Sequence, residues 1–211
     1  MVDEEKAQAA VHAFKKKGYH SHYVATKAEA KNLALSLIPT EASVGFGGSL
    51  TTRDLGLVEA LRAKGNPVFD HWQKGLDREE TLEIRRKQLV CDVFLTSANA
   101  VTVEGEIVNI DGVGNRVAST IFGPKKVIMV VGLNKITDNL AEAIERSKNV
   151  ASVQNAKRLN RTTPCTKTGS CSDCSSPDRI CNVTVILHRR PSEGGSFQDY
   201  HIIVVGEEIG F

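Results

Sequence analysis

The chain has 211 residues, 41% hydrophobic and 25% charged, the composition of a soluble globular protein with room for one large or two small domains. Lys and Arg number 27 against 25 Asp and Glu, a formal balance of +2, which gives no reason to expect nucleic acid as a partner. No apolar run reaches the roughly 18 residues of a spanning helix, and the acidic start MVDEEKAQAA is unlike a signal peptide, so a cytoplasmic location with no membrane span is expected.

The first predicted element is a helix carrying Ala7, Ala10, Val11 and Phe14 at helical spacing, with Asp3 as a cap and Gly18 at its end. A second helix over 27–38 opens with the capping box Thr26/Glu29 and stops at Pro39. These two helices, residues 1–40, are expected to pack on an α/β domain over 41–211. From residue 42 strand and helix alternate: a strand over 42–46, a helix carrying Leu50, Leu57, Val58 and Leu61, a strand over 67–70, a helix over 77–90 and a strand over 92–96. Two short apolar runs, VTV and IVNI, flank Glu104-Gly105-Glu106 as the arms of an inserted β-hairpin. A short helix after Gly114, a buried strand over 127–131, and helices from Thr137 and over 153–159 follow. Strands over 183–187 and 200–205, separated by a loop over 191–196, end the chain. Strands joined by helices imply right-handed crossovers and a mainly parallel sheet covered on both faces.

Three polar loops follow predicted strands: Gly45-Phe46-Gly47-Gly48-Ser49, Thr96-Ser97-Ala98-Asn99 and Gly132-Leu133-Asn134-Lys135. In a parallel sheet such loops share the carboxyl edge, where open α/β folds bind ligands. Backbone N–H groups at Gly47 and Gly48, the hydroxyls of Ser49 and Thr51, the amide of Asn134 and the charge of Lys135 are suited to a small anionic metabolite. The alternative is that the glycines serve only tight strand-to-helix turns. No G-x-G-x-x-G or G-K-[ST] motif is present, which disfavours a dinucleotide or nucleoside triphosphate.

The cysteines are unevenly placed. Cys91 stands alone and reads as a small buried hydrophobe. Cys165, Cys171, Cys174 and Cys181 crowd into a Pro- and Gly-punctuated segment over 163–182, with C-x2-C at its centre. Four thiolates close a tetrahedral zinc site or hold a [4Fe–4S] cluster, and the polar residues between them offer no core of their own. Zinc ribbons usually carry two C-x2-C knuckles, so a single one favours iron–sulfur, with zinc as the alternative; disulfides are disfavoured in a cytoplasmic chain. Residues 151–190 hold seven basic side chains against Asp173 and Asp178, counter-charges suited to thiolates. A His20-x-His22 pair, more simply a surface feature than a metal site, and Trp72 beside Asp70-His71, which core packing or a pocket wall explains equally well, complete the candidates.

The strings GFGGSLTTRDLGL (45–57), TSANAVTVEGEIVNIDGVGNRVA (96–118), GPKKVIMVVGLNKI (123–136) and TPCTKTGSCSDC (163–174) resemble the lactate-utilisation (LUD) domain family over nearly the whole chain. The resemblance implies a Rossmann-like three-layer α/β/α sandwich similar to the ribose-phosphate isomerase and CoA-transferase group. The run Asp111-Gly112-Val113-Gly114-Asn115-Arg116 packs an acid, an amide and a guanidinium into six residues, with a solvated turn and cap as the alternative, and the resemblance places Asn99, Asp111 and Asn115 with Gly47, Gly48, Ser49, Asn134 and Lys135 as crevice residues. The family is linked to oxidation of lactate to pyruvate alongside iron–sulfur subunits, so the implied role is an iron–sulfur-binding component or accessory subunit of that system. The alternative is an enzyme of the CoA-transferase or sugar-phosphate-isomerase type with a structural zinc. Related CoA-transferases use a glutamate, but no motif nominates Glu104 or Glu106, and no catalytic residue is assigned. A homo-oligomer is compatible with these expectations.

Overall fold

The computed structural model describes residues 2–192 and 198–211; the side chain of Asp3 and most of the 191–196 loop lie outside that description. The main sheet is parallel throughout, in the order β1 (His20–Val24), β10 (Asp199–Val205), β7 (Lys126–Gly132), β4 (Val93–Thr96), β2 (Val44–Phe46) and β3 (Val68–Phe69). The run VIMVV in β7 lacks polar alternation because both faces of this strand are covered. Phe94, Val127, Met129, Ile202 and Val204 pack on one face against Ala7, Ala10 and Phe14 of α1 (Val2–Lys16). Val93, Leu95, Ile128, Val130 and Ile203 pack on the other against α2 (Lys27–Ser36) and α4 (Leu57–Lys64).

The first forty residues are thus more than helices: β1 pairs with β10 in the register His20↔His201 and forms one edge of the main sheet. Both capping boxes, Thr26/Glu29 before α2 and Asp77/Glu80 before α5 (Arg78–Leu89), form as read. The apolar positions from Leu50 to Leu61 are divided between α3 (Leu50–Asp54) and α4, because Gly56 takes a left-handed φ of +62° that ends one helix and admits the next.

The hairpin is the nucleus of a larger unit. β5 (Ala100–Thr102) and β6 (Ile107–Asp111) pair antiparallel, and β8 (Ile136–Thr137) and β9 (Val183–Leu187) extend them into a four-stranded second sheet. Val101, Ile107 and Leu187 of this sheet join the core beneath α1, while Ala100 and Val108 meet Ala143 of α7 (Leu140–Arg146). The helix expected from Thr137 therefore starts later. Ile136 and Thr137, both β-branched, pair with Val101 and Thr102, and Asn139 caps α7 by accepting from the Glu142 N–H at 3.0 Å. α7 runs on through a π-helical turn at Ser147–Ser152 into α8 (Val153–Arg158). Among the described residues no helix is long and apolar enough to cross a membrane.

Candidate functional site

Because β2, β4 and β7 run parallel, the loops that follow them emerge at one edge, as the sequence pattern requires. There they border a cleft of about 240 Å³, closed on its far side by the end of β6, α6 (Asn115–Ile121) and the helix around Ser152. Gly47, Gly48, Ser49, Thr51, Asn99, Asp111, Asn115 and Lys135 all line it. Gly47 is there for close approach, since a Cβ would lie 2.8 Å from Thr96 Oγ1 and 3.0 Å from Arg116 Cγ. Ser49 spends its hydroxyl capping α3, accepting from the Thr52 N–H at 3.4 Å.

Lys135 is buried, and its ammonium donates to Thr51 Oγ1 and Ser97 Oγ, both at 2.9 Å. Burial, reinforced by Arg146 and Arg116, lowers its pKa to about 7, so it exchanges a proton near neutral pH. Asp111 is taken by Arg116, whose Nε donates to it at 2.9 Å, and the carboxylate also accepts the backbone N–H groups of Arg116 and Val117. The same guanidinium reaches Ser97 O, Asn109 Oδ1, Asn99 Oδ1 and Ile110 O. It is the knot that ties β4, the hairpin and α6 together.

Two asparagines serve this scaffold. Asn99 Oδ1 accepts from the Ile110 N–H at 2.7 Å as well as from Arg116. Asn134 does not line the cleft: its Oδ1 accepts from the Ile209 N–H and its Nδ2 donates to Gly210 O, which fixes the backbone beside Phe211, a residue of the cleft lining. Glu104 and Glu106 lie at the hairpin tip, away from the cleft lining, and Glu106 is bound by Lys17 at 2.6 Å and by the Thr102 hydroxyl. No glutamate lines the cleft among the described residues.

Several lining residues have no counterpart among the residues singled out from sequence. Arg85 of α5 contributes a guanidinium whose buried Nε has no partner, and its pKa is lowered chiefly by burial. Arg158 stacks on Trp72 at 4.3 Å, and Arg53, fixed by Asp70 at 2.5 Å, stacks on the same ring at 4.6 Å. Neither Arg85, Arg158 nor Lys135 forms a salt bridge among the described residues, so three cations border this cleft without a carboxylate of their own. His71 sits beside them with its pKa lowered to about 4, by burial first and then by Arg85. Arg85 and Arg158 lie far from the three loops in sequence, and only folding through α5 and α8 delivers them.

The four clustered cysteines line one small pocket together with Lys148 and Arg179. Ser152 and Ile180 are walls of both this pocket and the cleft. Arg179 donates to Cys174 O at 2.6 Å and Cys181 O at 3.1 Å, and Asp173, left-handed at φ +46°, directs its N–H to Cys171 Sγ at 3.5 Å. Burial and the nearby Cys171 and Cys174 thiols raise the Cys181 pKa, opposed by Arg179. In number and kind the donors fit a tetrathiolate metal centre. Among the described residues, however, no three His, Cys, Asp or Glu side chains sit at metal-binding separation. The basic excess around the cysteines divides, for Arg158 and Arg161 border the cleft and only Arg179 of the seven lines the thiol pocket.

The other cysteine is a core residue: Cys91 is buried, with its thiol pushed up to about 12 and its Sγ directed to Gln88 O. His20 and His22 stack with His201 across the β1/β10 pairing, at 5.0 and 5.6 Å between ring centroids.

The LUD domain model matches residues 7–205 of this chain. No relative among curated proteins matches it. Among solved structures the chain is similar to a DUF162 family protein from Deinococcus radiodurans, with a TM-score of 0.56, 16% identity, and coverage of 96% of this chain and 97% of that one. At that identity the likeness speaks for the fold. The family match, spanning the parallel sheet, the hairpin and the cysteine segment alike, shows that the chain belongs to the LUD domain family.

Proposed function

We propose that the cleft binds a small anionic metabolite, a carboxylate of the lactate or pyruvate kind or a small phosphate ester, with Lys135 transferring a proton to or from it. The observation that carries this reading is the group of three cations, Arg85, Arg158 and Lys135, that border one cleft without a carboxylate partner. Lys135 is buried and Arg85 and Arg158 are half-buried, and cations withdrawn from water without a salt-bridged carboxylate are costly unless a ligand supplies the charge. A volume of about 240 Å³ is below the roughly 300–1,000 Å³ of drug-sized sites, which favours a small metabolite over a CoA thioester. The absence of a lining glutamate among the described residues also weighs against CoA-transferase chemistry. The test is calorimetric titration of the protein with L-lactate, pyruvate and inorganic phosphate. Saturable binding of at least one, lost in Lys135→Ala, is expected; no binding of any of the three overturns the reading.

The second element of the proposal is that Cys165, Cys171, Cys174 and Cys181 hold a [4Fe–4S] cluster, or else zinc, making the chain a component of lactate oxidation. Its support is the shared pocket of the four thiols and the family's link to lactate utilisation. The cluster would supply one-electron transfer; zinc would supply structure alone. Anaerobically purified protein is expected to be brown and to contain about four irons. One zinc in a colourless protein leaves a structural site and removes the electron-transfer role.

A further inference from the structure

Gln88 is buried, and its side-chain nitrogen lies 2.9 Å from Phe46 O, 3.0 Å from Phe69 O and 2.9 Å from His71 Nδ1. Two backbone carbonyls can only accept, so they fix the amide with its NH2 group toward them. That NH2 also faces His71 Nδ1; with two hydrogens for three neighbours it must share one, and because an amide nitrogen cannot accept, Nδ1 cannot carry the hydrogen here. A neutral imidazole that accepts at Nδ1 carries its hydrogen at Nε2. Protonating Nδ1 would set donor against donor, and burial first, then Arg85 and Arg53, disfavour a positive ring more than Asp70 favours one, which agrees with a neutral imidazole at physiological pH.

The Nε2–H has no hydrogen-bond partner among the described residues, and His71 lines the cleft. Gly48 faces it: a Cβ there would lie 3.2 Å from His71 Nε2 and 3.1 Å from Trp72 Nε1, so the two ring N–H groups converge over a residue without a side chain. Gly48 also holds a left-handed φ of +67°, which an L side chain resists. Both ring groups are donors and neither can accept.

We propose that His71 is a specificity-determining residue, whose Nε2–H, with the indole N–H of Trp72, receives an acceptor oxygen of the ligand above Gly48. The inference rests on the anion-binding reading of the cleft and narrows its ligand class. Carbonyl, carboxylate, phosphoryl or hydroxyl oxygens are taken at this position. An ammonium group is refused, because it would meet donors alone and surrounding cations. With the ligand's carboxylate on Arg85, Arg158 and Lys135, this position falls to the 2-substituent, so the cleft accepts 2-oxo and 2-hydroxy acids and excludes 2-amino acids of the same size.

The test uses the full chain with pyruvate, L-lactate and L-alanine as calorimetric probes, together with ¹⁵N-histidine NMR of the ring nitrogens. Expected are binding of pyruvate or lactate but not alanine, and a neutral Nε2–H signature for His71 between pH 6 and 8. His71→Phe is expected to weaken binding roughly tenfold, the worth of a hydrogen bond, and His71→Gln, which keeps an N–H donor, to recover part of it. A His71 with its hydrogen at Nδ1, an imidazolium at pH 6, equal binding of alanine, or unchanged affinity in His71→Phe overturns the proposal while leaving the anion cleft standing. Failure of the unaltered protein to bind pyruvate, lactate or phosphate overturns both.

Discussion

Across the wall formed by Ser152 and Ile180, the cleft presents charged groups on well-fixed supports, whereas the cysteine pocket presents thiols on a segment with little regular structure. On the cleft side, Arg116 alone spans β4, the hairpin and α6 through its hydrogen bonds, and Lys135 is held by two hydroxyls. On the other side, between α9 (Pro164–Thr168) and β9, the chain is fixed by a few polar contacts: Cys171 N to Asn149, Arg179 to two cysteine carbonyls, and Asp178 to Arg161 and Thr162. Preorganised donors suit a ligand that comes and goes. Thiols on a loop suit a centre that stays and completes the fold around itself.

The largest expected effect breaks the comparison at the cysteine side. Cys174→Ser is expected to abolish stoichiometric metal content, and amide hydrogen exchange over 164–182 should rise toward that of an unstructured chain while the main sheet stays protected. Structural tetrathiolate centres contribute on the order of 10 kcal/mol to the fold they organise. Unchanged protection of the segment in the variant would mean that it stands without a centre, as the cleft does.

Next comes the removal of a cleft cation. Arg85→Gln is expected to weaken binding of pyruvate or phosphate by roughly 10- to 100-fold, the scale of losing a charge-assisted hydrogen bond, with the melting temperature unchanged or higher. The buried Nε without a partner is a cost to the free protein, and its removal is a gain. A fall in stability with no change in affinity would place Arg85 among the scaffold residues beside Arg116.

How much of this contrast is legible in the sequence depends on how far apart the partners lie. The two capping boxes, the parallel strands and the three loops are read from residues close together in the chain, and all appear where expected. The local pattern at 136–144 misleads, since Ile136 fits a helical face as well as a strand and only Val101, thirty-five positions earlier, decides between them. Asn134 and Lys135 are adjacent in sequence, yet one side chain turns to the 209–210 backbone and the other to the cleft. The charge excess at 151–190 is real, but counting cannot say which way Arg158 points. His71 is named only as a neighbour of Trp72, because what gives it a role is a single amide, Gln88, on the next helix.

A smaller and graded effect follows from Lys135. In the unfolded chain its ammonium keeps the ordinary lysine pKa near ~10.4, whereas in the folded protein it loses its proton near pH 7. Anion affinity is therefore expected to be flat below pH 7 and to fall, by up to about tenfold per pH unit, above it. Stability of the ligand-free protein moves the other way. Between pH 7 and about 10.4 the unfolded chain holds a proton that the folded one lacks, so the penalty is full below pH 7 and is relieved as pH rises through that window. Lys135→Met should remove both slopes, and chemical denaturation at several pH values, with titrations alongside, checks each.

The smallest expected effect concerns the wall itself. Ser152 borders both pockets, but its hydroxyl donates to Ser147 O at 2.8 Å inside the π-helical turn and is spent on the helix. Ser152→Ala is expected to cost roughly 0.5–1.5 kcal/mol of stability and to leave anion affinity within about twofold. If the cleft and the cysteine pocket are separate devices, that small loss appears in denaturation alone. If instead anion affinity and metal retention fall together in this one variant, the π-helical turn couples them, and the contrast between a standing cleft and a segment completed by its centre gives way to a single site with two chambers.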